Sequence, residues 1–211
     1  MSTLRAEKAS TGAVVVDSLP FSQSGTAAQA RGLWAAGVAG VAVYLGVVNA
    51  DRVRLLLEVG LGVFPVTLAG EYNDGANDEV AQLRALGLPA GIHVFLDMEG
   101  LAAYKTDPPV LISKVNAWAD TVRAAGYRPA LYVGNPQPLT SQELWALRVE
   151  LYWRGQGRTV DRNNVLAEPW GCGWAVTQMF PSRSIGTPPV WVDMNMVGQD
   201  YKGRLPVWAR M

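Results

Sequence analysis

Residues 94–100 read Val94-Phe95-Leu96-Asp97-Met98-Glu99-Gly100. Three apolar residues run into two carboxylates spaced i, i+2, and a glycine ends the run. Side chains two apart on a β-strand share a face, so Asp97 and Glu99 are expected to project side by side from the end of a buried strand. Two like charges in an apolar setting raise the pKa of at least one of them. Paired carboxylates with separated pKa values are what glycoside hydrolysis requires.

Outward from this stretch, short apolar runs alternate with helical patterns. Strands are expected at 13–18, 38–45, 62–68, 92–98 and 128–133. Helices are expected at 26–36, 50–59, 77–86, 107–125 and 140–147, with Gly37, Gly60, Gly87 and Gly126 as stops. Thr140 and Glu143 form a capping-box signature. The strand runs are continuous rather than alternating, as in a parallel sheet covered on both faces. Repeated βα units of this kind point to an α/β fold, either doubly wound or a (β/α) barrel. After residue 148 the pattern changes: 149–154, 174–179 and 190–194 read as strands joined by loops. The expected division is an N-terminal extension, 1–12, and a single domain, 13–211.

Composition narrows the function classes. Among 211 residues, 18 Lys and Arg balance 18 Asp and Glu, so long-range attraction to nucleic acid or an anionic membrane has no support. Cys172 is the only cysteine and His93 the only histidine, which excludes an internal disulfide and Cys- or His-rich metal sites. His93 reads as structural and Cys172 as inert. No cofactor or metal is expected. No 18-residue apolar run and no signal-type N-terminal core are seen. The expectation is a protein made in the cytoplasm.

In α/β barrels the chemistry sits at the C-terminal strand ends. The polar residues there are Asp17 and Ser18, Tyr44, Glu71 and Tyr72, Asp97 and Glu99, Tyr132 and Asn135, Tyr152 to Arg154, Thr177 and Gln178, and Asp193 and Asn195. Tyr44 and Tyr132 read equally well as core or site. Trp153 and Trp174 could stack on sugar rings or pack inside.

These residues carry a resemblance. Val16-Asp17-Ser18, Val43-Tyr44-Leu45, Phe64-Pro65-Val66, Phe95-Leu96-Asp97-Met98-Glu99, residues 126–132 (Gly-Tyr-Arg-Pro-Ala-Leu-Tyr), Leu151-Tyr152-Trp153, Val176-Thr177-Gln178 and Val192-Asp193-Met194-Asn195 occur in order. Together they resemble family 25 glycoside hydrolases, the lysozyme-type muramidases. They also resemble related glycoside-hydrolase-like domains of actinobacterial and phage proteins. The resemblance implies a TIM-like (β/α) barrel whose last three strands lack regular helices. It implies cleavage of the β-1,4 bond between N-acetylmuramic acid and N-acetylglucosamine in peptidoglycan, by a substrate-assisted route without cofactor. Glu99 matches the proton donor, Asp97 the carboxylate that orients the acetamido group, and Asp17 and Asp193 the flanking acids. Tyr44, Glu71, Tyr132, Asn135, Trp153, Gln178 and Asn195 are the expected saccharide contacts. The chain departs from the family at the seventh strand: the family's Trp-Gln-Tyr is replaced by Thr177-Gln178-Met179. The alternative reading is a catalytically silent saccharide-binding or structural module of a phage virion or tail, with virion proteins as partners. On either reading the cell wall is the expected place of action.

Overall fold

The computed structural model describes residues 3–67, 76–98, 107–134, 137–155, 157 and 159–211. Eight strands close a barrel in the order β2 (Val14–Asp17), β3 (Gly40–Tyr44), β4 (Gly62–Thr67), β5 (His93–Asp97), β6 (Arg128–Val133), β7 (Leu151–Arg154), β8 (Val176–Ile185) and β9 (Val190–Val197), with β9 returning to β2. Every pair from β2 to β8 is parallel. The two pairs that include β9 are antiparallel. The barrel is therefore mixed. β8 and β9 are joined as a hairpin, which forces the reversal.

Helices α1 (Leu19–Ser24), α2 (Ala27–Ala35), α3 (Ala50–Val59), α4 (Asn77–Ala85), α5 (Pro108–Ala124) and α6 (Ser141–Trp145) clothe the parallel part. Their ends follow local chemistry. Thr26 and Gln29 form a capping box on α2, and Thr140 and Glu143 form one on α6. Asn49 caps α3, and Gly60 closes it in the left-handed region at φ 95°. Helix α5 buries Leu111, Val115, Trp118 and Val122, one stripe at helical spacing, against the barrel. Helix α6 ends earlier than residue 147, because Leu147 N–H bonds the Leu144 carbonyl in a tightened turn.

The continuous apolar strands reflect two cores. Val16, Val41, Val43, Val63, Val94, Leu96, Leu131 and Val133 pack outward against the helices. Val15, Ala42, Phe64, Val66, Phe95, Ala130, Leu151, Trp153, Val176 and Val197 fill the barrel lumen. Alternate residues of one strand serve the two cores, so neither face is left polar.

Two short strands were not expected. Arg5–Lys8 (β1), within the segment read as an extension, pairs antiparallel with Val207–Arg210 (β10). β10 in turn pairs with β4 through Ala209 and Val63. Together they close the end of the barrel remote from the strand C-termini. Trp208 enters the lumen there, 2% exposed, with its ring 5.3 Å from that of Phe64. Gly62 and Gly40 are the reason it fits: a Cβ would lie 2.5 Å from the indole at Gly62 and 2.7 Å at Gly40. His93, fully buried, accepts the Val207 N–H at Nδ1 over 2.8 Å. Its proton therefore belongs on Nε2, which faces Glu150 at 3.7 Å. Burial holds the imidazole below its usual pKa. His93 is a latch for the barrel floor, in keeping with a structural residue. Among the described residues no helix is long and apolar enough to cross a membrane.

Candidate functional site

At the other end of the barrel, the last inward-facing position of each strand reaches a common opening. The register sets this directly. Asp17 on β2 lies opposite Asp193 on β9, Asp97 on β5 is level with Tyr132 on β6, and Tyr132 is level with Trp153 on β7. Asp17, Tyr44, Val66, Asp97, Tyr132, Trp153, Gln178 and Asp193 line one cleft. Three carboxylates thus converge from strands far apart in sequence.

The lining is tied together. Trp153 Nε1 donates to Asn195 Oδ1 at 2.9 Å, and Asn195 Nδ2 donates to Asp17 Oδ2 at 2.7 Å. The indole can only donate, so it fixes which side of the Asn195 amide faces Asp17. Tyr44 Oη donates to the other carboxylate oxygen, Oδ1, at 3.0 Å. Tyr132 Oη donates to Gln178 Oε1 at 2.7 Å, which turns the Gln178 NH₂ away from that phenol. The Tyr132 and Phe95 rings pack edge-on against Trp153, with centroids 5.1 and 5.3 Å away. Thr67 accepts the Asp97 N–H at 3.3 Å and donates to the Phe95 carbonyl at 3.4 Å, securing the end of β5. Ser182 donates to Asp193.

Burial dominates the electrostatics of Asp17 and pushes its carboxyl up to about 6. The Asn195 and Tyr44 hydrogen bonds pull the other way, while the like charges of Asp193 and Asp97 add to the rise. Tyr44 is held well above the usual phenol value by burial and by Asp17, so it remains a donor. The sign for stability follows. Between about 4 and about 6 the folded protein binds a proton on Asp17 that the unfolded chain releases. The Asp17 contribution is therefore lost as pH rises through that window. We expect the stability difference between wild type and Asp17→Asn to change by about 2–3 kcal/mol from pH 4 to pH 7, shifting against the wild type. Urea unfolding at both pH values checks this, and an unchanged difference would show that Asp17 titrates normally.

Of the residues expected from the sequence, Asp17, Tyr44, Asp97, Tyr132, Trp153, Gln178 and Asp193 are thus brought together. Asn195 is enclosed at 1% exposure and acts on Asp17 from beneath the opening. Trp153 is 3% exposed and presents little of its ring to a ligand. Trp174 is half-buried against the outer core, away from the lumen. Glu71, Glu99 and Asn135 lie outside the described residues. One expectation needs correction: Asp193 is not at the C-terminal end of its strand. Because β9 runs antiparallel, Asp193 meets the mouth from the first half of that strand. Ser182 and Thr67 escaped sequence reasoning. The partner of Ser182 depends on hairpin register, and Thr67 sits in an otherwise apolar run. Among the described residues no three His, Cys, Asp or Glu side chains are grouped to hold a metal ion.

No protein-family model and no curated protein matches the sequence. Solved structures do match in fold. An uncharacterized B. stearothermophilus protein is 20% identical, with a TM-score of 0.65 over 88% of this chain and 96% of that one. The bacterial lysozyme of Streptomyces coelicolor is 10% identical, with a TM-score of 0.61 over 90% of this chain and 93% of its own. A glycosyl hydrolase 25 of Streptococcus pneumoniae, described as a virulence factor in host cell invasion, is 12% identical, with a TM-score of 0.59 over 88% and 87%. At these identities the comparison establishes the fold: the chain has the TIM-like barrel of family 25 lysozyme-like glycoside hydrolases.

Proposed function

We propose that the protein is a peptidoglycan-directed glycoside hydrolase of the muramidase type. The observation that carries this reading is the meeting of Asp17, Asp97 and Asp193 in one polar, aromatic-walled cleft at the strand C-termini. The neighbours of like fold include a lysozyme and a glycosyl hydrolase, which supports it.

In the proposed reaction the 2-acetamido oxygen of an N-acetylmuramic acid residue attacks its own anomeric carbon. The β-1,4 bond to the next sugar breaks, and Glu99 delivers a proton to the departing oxygen. Asp97 orients the acetamido group and balances the positive charge that develops on it. Water, deprotonated by Glu99, then opens the cyclic intermediate and restores the acid. Asp17, neutral in part near pH 6, tempers the negative charge around Asp97. In this reading the bacterial wall is the place of action; carriage by a virion belongs to the same proposal.

A saccharide-holding module without turnover is the second reading. What favours it is that Asn195 and Tyr44 already spend hydrogen bonds on Asp17, and that Gln178 accepts one from Tyr132. Incubation with purified peptidoglycan separates the two. New reducing ends identify a hydrolase. Retention on the wall with no new reducing ends, across several wall types, identifies the binding module.

A further inference from the structure

The family's aromatic signature is missing at Thr177-Gln178-Met179 on β8, yet the structure holds an aromatic ring in a different place. The β8–β9 hairpin continues beyond the barrel. Arg183 pairs with Val192, Ser184 with Trp191, and Ile185 with Val190, past the point where β9 leaves β2 at Asp193. The two faces of this extension differ. Val190 and Val192 are 5% and 1% exposed and belong to the outer core. Trp191, between them, is 66% exposed. Its parity is that of Asp193 and Asn195, the residues β9 turns toward the mouth and lumen. By that alternation Trp191 is assigned to the side of β9 that carries Asp193, one two-residue step beyond it, or about 6.5–7 Å along the strand. The register shift in this hairpin falls on β8, between Met179 and Arg183, so the alternation along β9 is preserved.

The extension is braced. At its tip, Gly32 of α2 packs directly on Thr187: a Cβ there would lie 2.7 Å from the Thr187 carbonyl oxygen. Gln29 Nε2 also donates to the Pro189 carbonyl at 3.4 Å. A large aromatic is thus held in solvent on a braced hairpin, two residues along β9 from Asp193 of the cleft, with the hydroxyl-bearing Ser184 opposite it. An exposed ring with a serine hydroxyl opposite it suits the alternating apolar faces and hydroxyl edges of a sugar. A protein partner would call for a wider apolar patch.

We infer that Trp191 is the stacking platform of an outer saccharide subsite. It takes one ring of an extended β-1,4-linked N-acetylated glycan whose neighbouring residues occupy the cleft. The inference rests on the saccharide reading given above. It adds that the protein discriminates by glycan length through a residue on the hairpin rather than on the barrel.

The test is calorimetric titration with β-1,4-linked N-acetylglucosamine oligomers of two and six residues, using wild type, Trp191→Ala and Trp191→Phe. The expected result is tighter binding of the hexamer than of the dimer by the wild type. Trp191→Ala should weaken the hexamer about tenfold, the scale of one stacked ring, while changing the dimer less than twofold. Trp191→Phe should recover most of the loss. Thermal midpoints should match, because the side chain is exposed. Hexamer affinity unchanged in a folded Trp191→Ala protein would overturn the outer subsite and leave the saccharide reading intact. So would a wild type that binds both lengths equally. Binding of neither oligomer, nor of solubilised peptidoglycan strands, would overturn the saccharide reading and the subsite with it.

Discussion

Glu99→Gln is expected to reduce the release of reducing ends from peptidoglycan by roughly 10²–10⁴-fold, the usual contribution of a positioned general acid. Glutamine preserves the shape of the side chain but has no proton to deliver to the leaving oxygen. Asp97→Asn should fall in the same range for a different reason. Its neutral amide cannot balance the charge that builds on the acetamido group during ring closure. The bond from the Asp97 N–H to Thr67 Oγ1 is made by the backbone and is available to the variant as well. Wall binding by both variants separates chemistry from affinity: retention without reducing ends locates the loss in the bond-breaking step. A drop of less than threefold in either variant would remove that residue from the proposed reaction.

Trp208→Ala is expected to have the largest effect on stability, about 3–5 kcal/mol, the range for truncating a buried large aromatic. For a chain of this size, that lowers the melting midpoint by roughly 6–20 °C. The indole fills the barrel floor between Gly40, Gly62 and Phe64, and its removal leaves a hole that neighbouring strands cannot close without breaking their ladders. Its Nε1 has no hydrogen-bond partner among the described residues, so volume rather than polarity is its contribution. Trp208→Phe should therefore cost less than half as much. Differential scanning calorimetry of both variants checks this. Equal losses would point to the indole N–H instead of its bulk.

Several features were legible in the sequence because they depend on neighbours along the chain. The helix boundaries follow caps and glycine stops: α3 spans Ala50–Val59, between Asn49 and Gly60. The strands were visible as unbroken apolar runs, since each is buried by helices on one side and by the lumen on the other. Asp17 and Asp97 could be named as acids at strand ends, and they do meet Asp193, although the antiparallel course of β9 puts that residue in the first half of its strand.

What escaped depends on residues distant in sequence. β10 is four residues long and finds its place only because β4 and β5 diverge enough to admit Trp208. Nothing within Val207–Arg210 marks a barrel floor. The role of Asn195 depends on Trp153, 42 residues away, which fixes the amide, and on Asp17, 178 residues away, which receives it. The elevated pKa of Asp17 depends on its burial, and therefore on closure of the whole barrel. The antiparallel course of β9, and with it the exposed position of Trp191 on the hairpin, is decided by hairpin pairing rather than by the composition of the strand. The sequence by itself determined which segments become strands and helices and which carboxylates could reach one end, because those properties are set by local periodicity. Only the tertiary structure decided strand direction, amide orientation and the charge state of Asp17, because each is an energy shared between parts of the chain that meet only once it has folded.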